Sequence, residues 1–159
     1  MEKKILIAYY SRTGHVERVA KAIAKELGAD LDRIIPENDY GGTKGYNKAG
    51  FEAMLRRKPK IKFAKDPSKY DLVIVGSPMW AFTMSSPARS YILQNKAKMK
   101  AAAFFTSSGS RFRFALNSMK RAYRRKPVST LQIREKEIEE GSYDEKKKKF
   151  INDVRNALG

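Results

Sequence analysis

The chain has 159 residues, 42% hydrophobic and 32% charged, with 34 Lys and Arg against 17 Asp and Glu, a net charge of +17. This length and balance suit one folded domain with a sizeable core and exclude a disordered chain. The absence of Cys excludes disulfides, thiolate nucleophiles and cysteine-ligated clusters, and the single histidine, His15, excludes a His-rich metal site.

The first predicted element is a strand from Lys4 to Tyr10. Its apolar stretch follows Glu2-Lys3-Lys4 and superficially resembles a signal peptide, but it is short and runs straight into Ser11-Arg12-Thr13-Gly14. With no apolar run near the ~20 residues that span a bilayer, a cytoplasmic protein is expected. A helix is predicted from Gly14 to Leu27, because Val16, Val19, Ala20, Ile23, Ala24 and Leu27 recur at helical spacing, and Gly28 is a natural stop. Leu31 to Ile35 reads as a weak, charged edge strand. Residues 37–45, with Gly41, Gly42 and Gly45, read as a loop, followed by a helix from Tyr46 to near Arg57. Lys58 to Lys69 reads as an extended basic connection.

Leu72-Val73-Ile74-Val75 is a continuous apolar run of the kind found in central parallel strands. Ser86 is placed to cap the next helix, with Pro87 at its first position. Ala101 to Phe105 is another buried strand, and the helix after it carries Phe112, Ala115, Leu116, Met119, Ala122 and Tyr123 on one face. Val128 to Ile133 is the last strand. Ser142 and Glu145 form a capping box for a final helix that buries Phe150, Ile151, Val154 and Leu158. The count is five strands and five helices, with no internal repeat and no linker that would divide residues 1–159. Strands alternating with helices predict an α/β fold with a parallel sheet covered on both faces.

Open α/β sheets bind ligands beyond the carboxyl ends of their strands, where strand order reverses. Three segments fall there: Ser11 to His15, Ser77 to Ser86 and Thr106 to Ser110, all rich in small hydroxylic residues. The first joins a strand to a helix, so free amides and two hydroxyls can hold a phosphate that the helix dipole favours. The plainer reading is an ordinary turn, and the segment has neither a Gly-Lys-Ser/Thr ending nor a Gly-x-Gly-x-x-Gly pattern. The second carries the only tryptophan, Trp80, either to stack on a flat heterocycle or to cover the core edge. The third is either a backbone approach to a ring system or a plain helix cap.

Taken together, these segments resemble the flavodoxin family. Ile7-Ala8-Tyr9-Tyr10-Ser11-Arg12-Thr13-Gly14 is similar to that family's phosphate loop. Gly76-Ser77-Pro78-Met79-Trp80 is similar to its segment beside the isoalloxazine, and Phe105-Thr106-Ser107-Ser108-Gly109 to its third flavin loop. Gly45-Tyr46-Asn47-Lys48-Ala49-Gly50 resembles the second helix of one prokaryotic branch. The resemblance implies a flavodoxin-like three-layer sandwich, a five-stranded parallel sheet in the order 2-1-3-4-5, and noncovalently bound FMN. It implies Ser11, Thr13 and Gly14 at the phosphate, with amides of Arg12, His15 and Val16. Ser77, Pro78, Met79, Trp80, Ala81 and Phe82 would lie on one side of the ring, and Thr106, Ser107, Ser108 and Gly109 on the other. Val16 stands where the family usually has Thr, His15 where it often has Asn, and flavodoxins are typically acidic.

The resemblance implies an FMN electron carrier between redox partner proteins. The alternatives are an FMN-dependent NAD(P)H or quinone oxidoreductase and a basic flavodoxin-like binding module. The excess charge reads equally as a lysine-rich surface of a stable protein or as attraction to an acidic protein, nucleic acid or an anionic membrane. Arg111 and Arg113 stand either to meet a nucleotide phosphate or quinone oxygen or as solvated charge. His15 is either a phosphate donor or proton source, or a water-facing loop residue. Lys146 to Lys149 reads as a solvated helix face with local pairing.

Overall fold

The computed structural model describes residues 2–159. In chain order the elements are β1 (Ile5–Tyr9), α1 (His15–Leu27), β2 (Asp30–Arg33), β3 (Ile35–Pro36), α2 (Gly42–Met54), β4 (Ile61–Lys62), β5 (Leu72–Trp80), β6 (Thr83–Met84), α3 (Ser86–Asn95), β7 (Ala102–Ser108), α4 (Phe114–Tyr123), β8 (Thr130–Arg134), α5 (Glu135–Glu140) and α6 (Asp144–Leu158). Five parallel strands pair in the order β2-β1-β5-β7-β8, the order the resemblance implies, with weak β2 at one edge.

Alternation along the strands divides the core into two layers. Leu6, Ala8, Val73, Val75 and Phe104 pack with α2, α3 and α4 on one face. Ile5, Ile7, Leu72, Ile74 and Phe105 pack with α1, α5 and α6 on the other. Gly28 ends α1 in the left-handed conformation, as its position predicts.

Several expected boundaries move. β5 and β7 run on through Trp80 and Ser108, so much of the two expected loops is strand. Ser77 pairs with Thr106, and Pro78 with Ser107, so these polar residues have ladder partners. Pro78 costs no ladder bond. The Gly76 carbonyl faces β1 and accepts from the Tyr10 amide, so Pro78 faces the same side, beyond the end of β1. Helix α2 begins at Gly42 and absorbs the end of the predicted 37–45 loop. Ile35–Pro36 pairs antiparallel with Ile61–Lys62, so the basic connection contains a strand. The buried Asp32 carboxylate holds that connection by accepting from the amides of Ala64 and Lys65.

The cap of α3 is Ser85, whose hydroxyl accepts from the Ala88 amide; Ser86 is already helical. Phe112 is not on the buried face of α4. It lies before the helix, 60% exposed, because Gln132 Nε2 donates to the carbonyls of Ser110 and Phe112 and holds them in a loop. The expected Ser142–Glu145 capping box does not form, and α6 starts after Tyr143. The Ser142 amide instead donates to the Glu137 carbonyl and closes α5, a helix in a stretch to which the sequence pattern assigned no element. Glu137 starts that helix by accepting from the Arg134 amide at 2.9 Å.

Buried tyrosines make the fold sensitive to alkali. Burial pushes the Tyr10 phenol up to about 12, helped by the neighbouring Tyr40. Burial also pushes Tyr70 up to about 12, helped by its hydrogen bond to Asp30 at 2.7 Å. The native state therefore disfavours the phenolates relative to the unfolded chain, where tyrosine titrates near ~10. This contribution is complete below that value and is lost as pH rises from ~10 to ~12, at roughly 1 kcal/mol per pH unit per tyrosine. Urea midpoints measured across that range should fall, and Tyr70→Phe should flatten the decline.

Candidate functional site

β1, β5 and β7 are neighbours in the sheet, so the segments at their carboxyl ends stand side by side. The structure brings together all three of the segments picked from sequence.

The first wall is the turn from β1 into α1. Ser11 is buried, and its Oγ accepts from the amides of Gly14 at 3.1 Å and Glu17 at 3.2 Å. Gly14 caps the helix at φ 98°, a conformation that favours glycine. Among the described residues, no protein acceptor pairs with the amides of Arg12, Thr13, His15 or Val16. These donors and the positive helix end are suited to an anion. The Val16 side chain is in the core, so only its amide serves the turn. Arg12 turns away: Nε donates to the Tyr40 carbonyl at 2.8 Å, Nη2 to the Gly42 carbonyl, and the guanidinium lies over Tyr46. It ties the turn to the start of α2.

His15 is not a free loop residue. Its Nδ1 lies 2.9 Å from Thr13 Oγ1 and its Nε2 3.1 Å from Glu139 on α5. Sequence reasoning missed Glu139 because it missed the helix that carries it. Removing the Ser11 hydroxyl tests the turn directly. Ser11→Ala should cost about 1–2 kcal/mol, the usual loss for a capping hydroxyl, and lower the thermal midpoint by a few degrees.

The second wall is the end of β5. Met79 pairs with Met84 and Trp80 with Thr83, so Ala81 and Phe82 form a two-residue hairpin turn. Both have positive φ, 47° and 65°, the turn geometry that glycine and asparagine usually supply. Ser77 holds the base of this hairpin: its Oγ accepts from the Ser85 amide and lies 2.8 Å from Ser85 Oγ. Trp80 is not at a loop tip. It is 8% exposed and packs edge-on against Tyr10 at 5.3 Å and Tyr40 at 5.0 Å. Tyr40 in turn donates to Glu52.

The third wall is the end of β7. Thr106, Ser107 and Ser108 are buried strand residues, and Gly109 is exposed at the turn. Ser108 Oγ donates to the Ser110 carbonyl at 2.7 Å. Beyond it, Phe112 stacks on Phe114 at 5.2 Å, and Phe114 meets Phe82 edge-on at 5.7 Å. This exposed aromatic cluster joins the second wall to the third. The alternation Phe112-Arg113-Phe114 was its only sequence signal.

Arg111 and Arg113 are exposed on the same rim, Arg113 donating to Thr130 Oγ1 at 2.9 Å. They also border an open groove of about 640 Å³ along β8, which lies to the side of the three walls. In the Lys146–Lys149 run, Lys147 pairs with Asp144 and Lys149 with Asp153 along the helix, while Lys146 reaches Glu137 on α5. No described group of acidic or histidine side chains is arranged to hold a metal ion, and no described helix is long and apolar enough to cross a membrane.

The sequence matches the Flavodoxin family model over residues 4–153. Its structure is similar to that of a flavoprotein from Lactobacillus acidophilus in complex with FMN, with a TM-score of 0.72 and 22% identity, over 87% of this chain and 97% of the other. It is also similar to oxidised Flavodoxin 2 from Bacillus cereus, with a TM-score of 0.59 and 19% identity, over 97% and 99%. Among curated proteins, it is 30% identical over 122 residues to NAD(P)H dehydrogenase (quinone) 3 of Rhizobium meliloti, covering 67% of this chain and 54% of that protein. The chain spans about half the length of the curated relatives it matches.

Proposed function

The chain belongs to the flavodoxin family, and from this we propose that it holds FMN at the carboxyl ends of β1, β5 and β7 and carries electrons between protein partners. The observation that supports this most is the β1–α1 turn, where unpartnered amides surround Gly14 at the positive end of a helix. Ser11, Thr13 and Gly14, with the amides of Arg12, His15 and Val16, would hold the phosphate. Ser77, Pro78, Met79, Trp80, Ala81 and Phe82 would border the ring on one side, through backbone and small side chains more than through the buried indole. Thr106, Ser107, Ser108 and Gly109 would border it on the other.

Bound FMN supplies one- or two-electron transfer. The chain's own part is to bind, orient and shield: the Ser11 hydroxyl fixes the turn, and the hairpin at 81–82 and the aromatic cluster limit access of water. No side chain need donate or accept a proton. The exposed Arg111 and Arg113 make the rim cationic, which steers an acidic redox partner toward it at a rate that falls with salt.

A second reading, direct reduction of quinones with NAD(P)H, is favoured by the exposed Phe82–Phe114–Phe112 cluster, a platform on which a planar ring can stack. The names of the curated relatives point the same way.

One titration series tests both readings. Trp80 is the only tryptophan, so quenching of its emission reports loading. FMN should quench it to saturation and riboflavin should bind more weakly; equal binding of the two would remove the phosphate turn from the site. NADPH added to the loaded protein should leave the visible flavin bands unchanged in a carrier. Bleaching without a reductase would favour the oxidoreductase.

A further inference from the structure

Away from the three walls, one arginine stands in surroundings that do not suit it alone. Arg89, on α3, is 8% exposed. Its Nη2 donates to Thr83 Oγ1 at 2.8 Å, while its buried Nε has no hydrogen-bond partner. Among the described residues, no carboxylate lies within ion-pair distance of it. The charges beside it are also positive: Arg56, just past the end of α2 in a segment held against α3 by the Ser90 hydroxyl, which donates to the Pro59 carbonyl at 2.7 Å, and Arg121, one turn along α4 from Ser118, whose hydroxyl accepts from the Met84 amide at 2.9 Å. Both are exposed and neither is paired with a described carboxylate.

We propose that Arg89, Arg56, Arg121 and Thr83 form a second anion site, which takes a phosphate group. A buried charge persists when it is paired and hydrogen-bonded, and here the charged neighbours, Arg56 and Arg121, are of the same sign. Burial holds the Arg89 guanidinium below its ordinary value, and the fields of Arg56 and Arg121 act in the same direction. An anion reverses both effects. Phosphate fits better than a carboxylate, because a carboxylate offers two oxygens to three guanidinium groups, while a phosphate offers three or four and accepts bidentate arginine pairs.

The site adjoins the base of the second wall's hairpin and is separate from the β1–α1 turn. Thr83 pairs with Trp80 at the base of the Ala81–Phe82 turn, and Arg89 reaches it from α3. A free phosphate ion and the phosphate of a nucleotide such as NADPH share this chemistry.

The test uses the FMN-saturated protein, so that the β1–α1 turn is filled, with quenching of Trp80 emission as a separate record of loading. The Arg89 Nε–H resonance, assigned by its loss in Arg89→Lys, is followed during titration at constant ionic strength. Inorganic phosphate should shift it saturably and chloride should not. Arg56→Gln and Arg121→Gln, at exposed positions, should each weaken the phosphate affinity about tenfold, the effect of one charge-assisted hydrogen bond. Adenosine 2′-monophosphate, compared with inorganic phosphate and with adenosine, separates the sources: tighter binding of the nucleotide points to a nucleotide ligand, equal binding to the free ion. A resonance that does not respond to either phosphate, responds equally to chloride, or keeps its affinity in both glutamine variants overturns the proposal. Trp80 emission indifferent to FMN, with an intact Arg89 response, would overturn the FMN reading alone.

Discussion

Valine in place of Gly76 is expected to destabilise the protein by about 3 kcal/mol, the upper end of the range for overpacking, a large share of a typical domain's stability. Gly76 lies in β5 between Tyr9 and Phe105, and the Phe105 ring crosses it so closely that a Cβ would stand 2.2–2.7 Å from three ring carbons. The ring is fully buried in the layer beneath α1 and α6 and has no open side into which to withdraw. Urea unfolding should show a much lower midpoint at an unchanged slope. A variant with near wild-type stability would mean that Phe105 repacks freely.

That contact was invisible in the sequence, where Gly76 is only the residue after an apolar run. What was legible followed from periodicity: the apolar runs at 5–10, 72–75 and 101–105, and the helical spacing of Val16 to Leu27, place four elements and, by their alternation, the parallel sheet. That the carboxyl ends of β1, β5 and β7 adjoin came from the resemblance, which implies the strand order, and not from periodicity. The strand ends were not legible, because Ser77, Thr106 and Ser108 are strand residues only by virtue of partners far along the chain. Nor was α5, whose Glu-rich sequence has one buried residue, Ile138, and no apolar period to announce it. Trp80 looked like a loop tip because its aromatic neighbours, Tyr10 and Tyr40, are distant in sequence.

Gly14→Val is expected to weaken FMN binding roughly thirtyfold, corresponding to about 2 kcal/mol, while leaving the domain folded. The φ of 98° is one that a β-branched residue adopts only under strain. A Cβ there would meet no protein atom within 4 Å, so the side chain projects into open space above the turn and the core is undisturbed. The strain can relax only by shifting the amides of the turn, which on the proposed reading would face the phosphate. Circular dichroism and flavin fluorescence on one sample separate the effects. The affinity for riboflavin, which lacks the phosphate, should hardly change. An unchanged FMN affinity would remove Gly14 from the site.

The strand order also governs how fast this protein can be made. β1 leaves the ribosome well before its central partner β5, with Ile5 against Leu72, and β7 follows later still. Each pairing closes a long loop before it gains any contact, so folding should be slow for a chain of this size. The ligand walls, borne on these three strands, come into register only when that late step is complete. FMN added during refolding should therefore slow unfolding and leave the folding rate unchanged. On this order the nascent chain should cross its barrier without help from FMN and bind it only once the three walls are formed.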